Sequence, residues 1–258
     1  VGLNMLRFSA NLGFLWQELS LPDAIRAAKA AGFDAVECHY PYDISAEAVR
    51  QALTETGLPM LGLNTTRGRV EDGDNGLAAL PGREEEARRA IDQAFDYAAA
   101  TRTRNVHVMA GKSNGEEGRS TFIRNLRYAC ERGGKVGANV LIEPLNHRDA
   151  PGYFLQTMEQ ALGIISAVGA QNIKLMFDCY HIQIMQGDLT HRLQEHLDAI
   201  GHIQIAAVPD RREPDHGEID YRYILRFIEK LGYDRPIGAE YRPATTTEAG
   251  LAWLQAYR

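Results

Sequence analysis

Along the chain, short apolar runs rich in β-branched residues alternate with longer stretches in which apolar residues recur every three to four positions. The first pattern suits strands buried on both faces, and the second suits helices lying over them. The alternation therefore predicts parallel strands joined by helical crossovers. The predicted strands are Arg7–Asn11, Ala35–His39, Met60–Asn64, Asn105–Met109, Val140–Glu143, Ile173–Asp178, His202–Ala206 and Pro236–Glu240. The predicted helices are Leu21–Ala31, Ser45–Thr56, Arg83–Thr101, Gly118–Gly133, Thr157–Val168, Asp188–Ile200, Asp220–Leu231 and Thr247–Gln255. Gly32 and Gly57 follow the first two helices as stop signals, and Glu84-Glu85-Glu86 complements the positive end of the third.

Eight such units in 258 residues, with no Ser/Pro-rich linker, predict one closed (β/α)8 barrel spanning residues 5–258. Val1–Asn4, ahead of Met5, read as an N-terminal extension outside the fold. A doubly wound open sheet ranks lower, because Ser9-Ala10-Asn11-Leu12-Gly13 has none of the glycine spacing of a dinucleotide fold. Gly111-Lys112-Ser113 resembles the end of a phosphate-binding loop, but Val106 stands where its first glycine is required. That stretch to Gly118 and the stretch Gly68 to Gly82 therefore read as loops at the mouth of the barrel.

Composition narrows the function classes. A formal net charge of −6 without a basic run argues against nucleic acid as partner. The three cysteines, Cys38, Cys130 and Cys179, form no C-x-x-C pair and read as buried free thiols. No apolar run approaches the roughly 20 residues of a membrane span, so a soluble protein of the reducing cytoplasm is expected. Homo-oligomerisation through the barrel helices is left open.

The chemistry is signalled by polar residues where an aliphatic barrel interior would not tolerate them. Strands five to eight each supply one, at or near the end: Glu143, Asp178, Gln204 and Glu240. A carboxylate there costs several kcal/mol unless something pairs with it. Neighbouring strands lie about 4.8 Å apart, so the four oxygen-bearing side chains can converge on one point. Three carboxylates and an amide are hard ligands suited to one Mg2+ or Mn2+. A salt bridge or a helix cap would account for any one of them, but not for four in register. His39, Asn64, His107 and His181 lie at or near other strand ends and are weaker candidates, and His107 could instead be a hydrogen-bonded core residue.

Several stretches together resemble the hydroxypyruvate isomerase family, which includes 2-oxo-tetronate isomerases. It falls in the xylose isomerase-like group of barrels, with ketose 3-epimerases and endonuclease IV. They are Arg7-Phe8-Ser9-Ala10-Asn11-Leu12, Pro81-Gly82-Arg83-Glu84-Glu85-Glu86, Leu141-Ile142-Glu143-Pro144-Leu145-Asn146-His147, Asp178-Cys179-Tyr180-His181, Gly201-His202-Ile203-Gln204-Ile205-Ala206, Gly217-Glu218-Ile219 and Thr245-Thr246-Thr247-Glu248-Ala249-Gly250-Leu251. The resemblance implies that Glu143, Asp178, Gln204 and Glu240 are metal ligands and that Glu143 and Glu240 also form the proton-transferring pair. It points to His181, Arg211 and Asp149 as substrate contacts. Apart from the resemblance, Arg211, on the loop after strand seven, is the first candidate to meet a substrate carboxylate, Arg7 near the first strand is the fallback cation, and His107 at a strand end is a further candidate contact. One departure is Ala207, where the family commonly has an acidic residue.

The activity so implied is isomerisation of hydroxypyruvate to tartronate semialdehyde through an enediol. A 2-oxo-tetronate isomerase, a ketose 3-epimerase or sugar isomerase, and more remotely a non-catalytic metal-binding barrel are the alternatives. Gln204 in place of an epimerase histidine favours the acid isomerase, and two paired glutamates disfavour a pure binder. DNA cleavage is remote, because the chain lacks the many His and carboxylate ligands of a three-zinc site. Arg211 has a plainer reading too, as a surface residue paired with its neighbours in Asp210-Arg211-Arg212-Glu213.

Overall fold

In the computed structural model, which describes residues 6–257, strand β1 (Phe8–Asn11) pairs in parallel with β2 (Ala35–Glu37) on one side and with β8 (Ile237–Ala239) on the other. First and last strands are thus neighbours, as barrel closure requires. From β8 the order runs through β7 (Ile200–Ile205), β6 (Ile173–Asp178), β5 (Asn139–Ile142) and β4 (Asn105–His107) to β3 (Gly62–Asn64). The seam between β2 and β3 holds a single parallel bridge, Val36 to Met60. Backbone bonds extend it, from Cys38 N to Gly62 O (3.0 Å) and from Asn64 N to His39 O (2.8 Å). The predicted (β/α)8 barrel is present with all eight strands in parallel. The extension read at Val1–Asn4 lies outside the described residues.

Local signals set the helices. In α1 (Leu21–Ala30), the Ser20 side chain accepts from the Asp23 backbone N–H and Pro22 sits in the first turn. Ser45 caps α2 (Ala46–Thr56) in the same way, Thr157 caps α5 (Met158–Val168) and Asp220 caps α8 (Tyr221–Lys230). The long helix α3 (Glu84–Thr101) buries a stripe of small residues, Ala87, Ala90, Ala94 and Ala98, with Ile91 and Phe95 against the sheet.

Four details differ from the sequence expectation. Helix α4 runs Gly115–Val136, beyond both expected ends. Gly133 lies inside it because a side chain there would meet the Ala138 carbonyl, so close packing rather than termination explains that glycine. A short helix, α6 (Cys179–Met185), follows β6 directly, capped by Asp178, whose Oδ1 accepts from Tyr180 N at 2.8 Å. Helix α7 (Leu189–His196) ends in a 3-10 turn, and Ile200, expected to close that helix, is the first residue of β7. The last expected helix is split into a 3-10 turn, Glu248–Gly250, and α9 (Ala252–Ala256).

The three cysteines are buried and free. No helix among the described residues is long and apolar enough to cross a membrane.

Candidate active site

Reading the residues at or next to the strand ends in order gives Asn11, Glu37, Asn64, His107, Glu143, Asp178, Gln204 and Glu240, a ring of polar residues at the carboxyl-terminal mouth. This is the face on which barrels of this kind carry their chemistry. Register brings the late members side by side: Asp178 pairs with Gln204, and Gln204 with Gly238, two residues before Glu240. All four expected metal ligands are buried, between 1% and 6% exposed. A cavity of about 570 Å3 opens above them and is lined by Glu143, Glu240, His107, His181, Asp149 and Arg211, among others. Beneath it, a space of about 20 Å3 is walled by Gln204, Glu37, Asn11 and His202 together with the two glutamates.

Three of the four expected ligands present a buried oxygen with no hydrogen-bond partner: Glu143 Oε1, Asp178 Oδ2 and Gln204 Oε1. Burial, then the charges of Glu240 and Asp178, push the Glu143 carboxyl well above its ordinary range. Burial and Glu240 likewise push Asp178 up. Burial also pushes Glu240 upward, but Arg211 and His39 outweigh it and hold that carboxyl far below its usual range. Buried carboxyls that resist ionisation, with oxygens that no protein donor satisfies, are groups that a bound cation would stabilise. The donor set therefore fits a hard divalent ion.

Glu143, Asp178 and His181 also form a cluster whose ligating atoms lie within 4.8 Å of one another. The histidine is better placed as a donor than as a ligand. Its Nδ1 accepts the Asn146 backbone N–H at 3.0 Å, which puts the ring proton on Nε2. Burial, then Arg211, hold its pKa well down, so the ring is neutral and Nε2–H faces Asp178 Oδ2 (3.7 Å) and Glu143 Oε1 (3.9 Å).

Other expected residues resolve differently. His107 is neutral, its pKa lowered to about 4 by burial. Neither of its ring nitrogens has a hydrogen-bond partner, so it is not the satisfied core histidine that was the alternative. Its Nδ1 lies 3.5 Å from Glu143 Oε2. Arg211 is not a surface residue paired with Asp210 or Glu213. Its guanidinium is 3.0 Å from Glu240 Oε2, 3.6 Å from Asp178 Oδ2 and 3.4 Å from Asp149 Oδ2. It sits between the rings of Phe14 and Tyr180, on a left-handed backbone (φ 57°) that non-glycine residues seldom adopt. Ala207 is buried, and its carbonyl accepts the Arg211 N–H. Arg7 is not in the site. It is exposed ahead of β1, bonds the Asp234 carbonyl, and lines a separate cavity with Tyr233 and Arg235 at the amino-terminal ends of the strands.

The sequence reading passed over a second polar layer. Glu37 is buried inside the barrel and accepts from His202 Nε2 (2.7 Å), Gln204 Nε2 (2.7 Å) and Asn11 Nδ2 (3.1 Å). Because a carboxylate can only accept, Glu37 fixes the Gln204 amide with its NH2 toward Glu37 and leaves its carbonyl oxygen free of that bond. Asn11 also donates to Glu240 Oε1 at 3.1 Å, where His39 Nε2 makes a second contact at 2.7 Å. The available signal was period-two spacing: His202 precedes Gln204 by two, which puts both on one face of β7.

His39 has room only because residue 13 is glycine, since an added Cβ would stand 2.1 Å from His39 Nδ1. Gly13→Ala should force His39 off Glu240, lowering turnover and costing about 1–3 kcal/mol of stability through overpacking. Thermal melts and initial rates test this, and a variant matching the parent in both would show that the His39 contact does not matter.

Residues 25–257 match the family model described as xylose isomerase-like TIM barrel. The chain is 44% identical over 257 residues to a 2-oxo-tetronate isomerase of Cupriavidus necator, covering 98% of this chain and 99% of that protein. It is 41% identical to a hydroxypyruvate isomerase of Escherichia coli K12, covering 98% and 100%. A crystal structure from Brucella melitensis, named AP endonuclease, family 2, superposes with a TM-score of 0.95 at 41% identity, covering 98% of this chain and all of that one.

Proposed function

The chain belongs to the xylose isomerase-like TIM barrel family, among its hydroxypyruvate and 2-oxo-tetronate isomerases, and from that membership we propose a metal-dependent isomerase that interconverts hydroxypyruvate and tartronate semialdehyde. The observation that carries the reading is the pair of buried glutamates, Glu143 and Glu240, facing one cavity beside oxygens left without donors. Glu143, Asp178, Gln204 and Glu240 would hold one Mg2+ or Mn2+, which when bound would polarise the substrate's oxygens and stabilise charge developing on them.

The rest is work for the protein's own groups. The reaction moves a proton between C3 and C2 while hydroxyl and carbonyl exchange places. One glutamate removes the carbon-bound proton, and the other, across the cavity, delivers a proton to the neighbouring carbon. His181 Nε2–H is a fixed neutral donor for a substrate oxygen, oriented by Asn146. The neutral His107 ring beside Glu143 can relay the hydroxyl proton, since neither of its nitrogens is otherwise engaged. Arg211 lowers the repulsion among Glu240, Asp178 and Asp149.

A four-carbon 2-oxo-tetronate is the second reading, favoured by the Cupriavidus necator relative and by a 570 Å3 cavity that a three-carbon acid does not fill. DNA cleavage is disfavoured by a formal net charge of −6, which offers no attractive field to a polyanion. The test is an isomerisation screen with Mg2+ or Mn2+ over three- and four-carbon 2-oxo acids and common neutral ketoses. Turnover confined to the oxo acids is expected; turnover confined to neutral ketoses would overturn the reading.

A further inference from the structure

A 2-oxo acid brings its own carboxylate into a cavity already walled by Glu143, Glu240 and Asp149. It therefore needs a cation whose charge is not already engaged. Three arginines line the cavity: Arg67, Arg211 and Arg242. Arg211 is held by three carboxylates, as described above. Arg242 is exposed and lies against Phe14, 5.1 Å from the ring centre.

Arg67 is different. It is half-buried in the loop after β3, and its carbonyl accepts the Gly76 N–H at 2.8 Å, which ties that loop down. Its guanidinium lies 5.1 Å from the centre of the Tyr40 ring and has no carboxylate partner among the described residues. Tyr40 is itself positioned, with its hydroxyl 3.2 Å from Met109 Sδ, and it lines the same cavity as Glu143 and Glu240. A guanidinium resting on an aromatic face keeps its N–H edge free for a planar carboxylate, with little flexibility left to lose on binding.

We propose that Arg67, pre-placed on Tyr40, binds the substrate's carboxylate and so selects oxo acids over neutral ketoses, while Arg211 serves the protein's own carboxylates. The proposal rests on the 2-oxo acid reading above and moves to Arg67 the carboxylate contact expected of Arg211.

The experiment compares the parent protein with Arg67→Ala, Arg67→Lys and Arg242→Ala. Each is assayed at saturating Mn2+ with hydroxypyruvate and with dihydroxyacetone, which carries CH2OH in place of the carboxylate. If dihydroxyacetone is not turned over, it is read as a competitive inhibitor. Arg67→Ala should raise the hydroxypyruvate KM about 10- to 100-fold, the range for a lost charge-assisted hydrogen bond, with kcat changed much less. Dihydroxyacetone binding should not move, and Arg67→Lys should recover part of the loss. If hydroxypyruvate is turned over but its KM is unchanged in Arg67→Ala, or rises only in Arg242→Ala, the assignment to Arg67 is overturned and the oxo acid reading stands. If the parent isomerises dihydroxyacetone but no oxo acid, both fall together.

Discussion

Glu240→Gln is expected to lower turnover at least about 10²-fold at saturating metal, the low end for loss of a positioned general base. The substitution keeps the shape of the side chain, and its carbonyl can still face Asn11 and His39, which now meet Glu240 Oε1 at 3.1 and 2.7 Å. What it removes is the ability to accept a proton from carbon, together with the charge that Arg211 contacts at 3.0 Å. KM should therefore change far less than kcat. The measurement is steady-state kinetics over a metal titration, so that weaker metal binding appears as a shift in the metal dependence rather than in the plateau. A plateau near that of the parent would remove Glu240 from proton transfer and leave it a ligand alone.

Stripping divalent ions with a chelator should abolish turnover, and adding Mg2+ or Mn2+ back should restore it. The same treatment should lower the melting temperature. At an ion concentration about 100 times its dissociation constant, binding to the native state alone adds about 2.7 kcal/mol. For a barrel of this size that corresponds to a shift on the order of 5–10 °C. The orphaned oxygens of Glu143, Asp178 and Gln204 are the reason to expect an effect of that size, since the ion would satisfy groups that nothing else satisfies. Full turnover in protein free of divalent ions would remove the metal from the mechanism.

The barrel was legible in the sequence because strand and helix periods differ and alternate eight times. The late-strand residues Glu143, Asp178, Gln204 and Glu240 were legible because each ends or interrupts a largely apolar run. Helix α6 was not: it spans seven residues and its cap, Asp178, had already been read as a ligand. Both roles are present, since Oδ1 caps the helix while Oδ2 is left without a donor. Arg211 was misplaced on the alternative reading because its four-residue neighbourhood is charged, and only the three-dimensional loop shows which carboxylates it meets. Arg67 gave no signal at all. An arginine in a glycine-rich loop is unremarkable until its lack of a partner can be seen.

The layer under the site constrains how this sequence can change over time. Glu37 is held by Asn11, His202 and Gln204, and the space for its carboxylate exists because residue 238 is glycine, where a Cβ would stand 2.6 Å from Glu37 Oε1. Making Glu37 apolar strands three buried donors, and giving residue 238 a side chain displaces the carboxylate that orients Gln204. Each step alone leaves buried groups unpaired or crowded, at about 1–3 kcal/mol per stranded donor, whereas an aliphatic layer built by changing all five positions at once would pack as other barrels do. The five residues are therefore energetically coupled, and the effects of single substitutions among them are not expected to add. Single substitutions in a mouth loop such as the one carrying Arg67 break none of these buried contacts, and that loop is where this chain's binding can change one residue at a time.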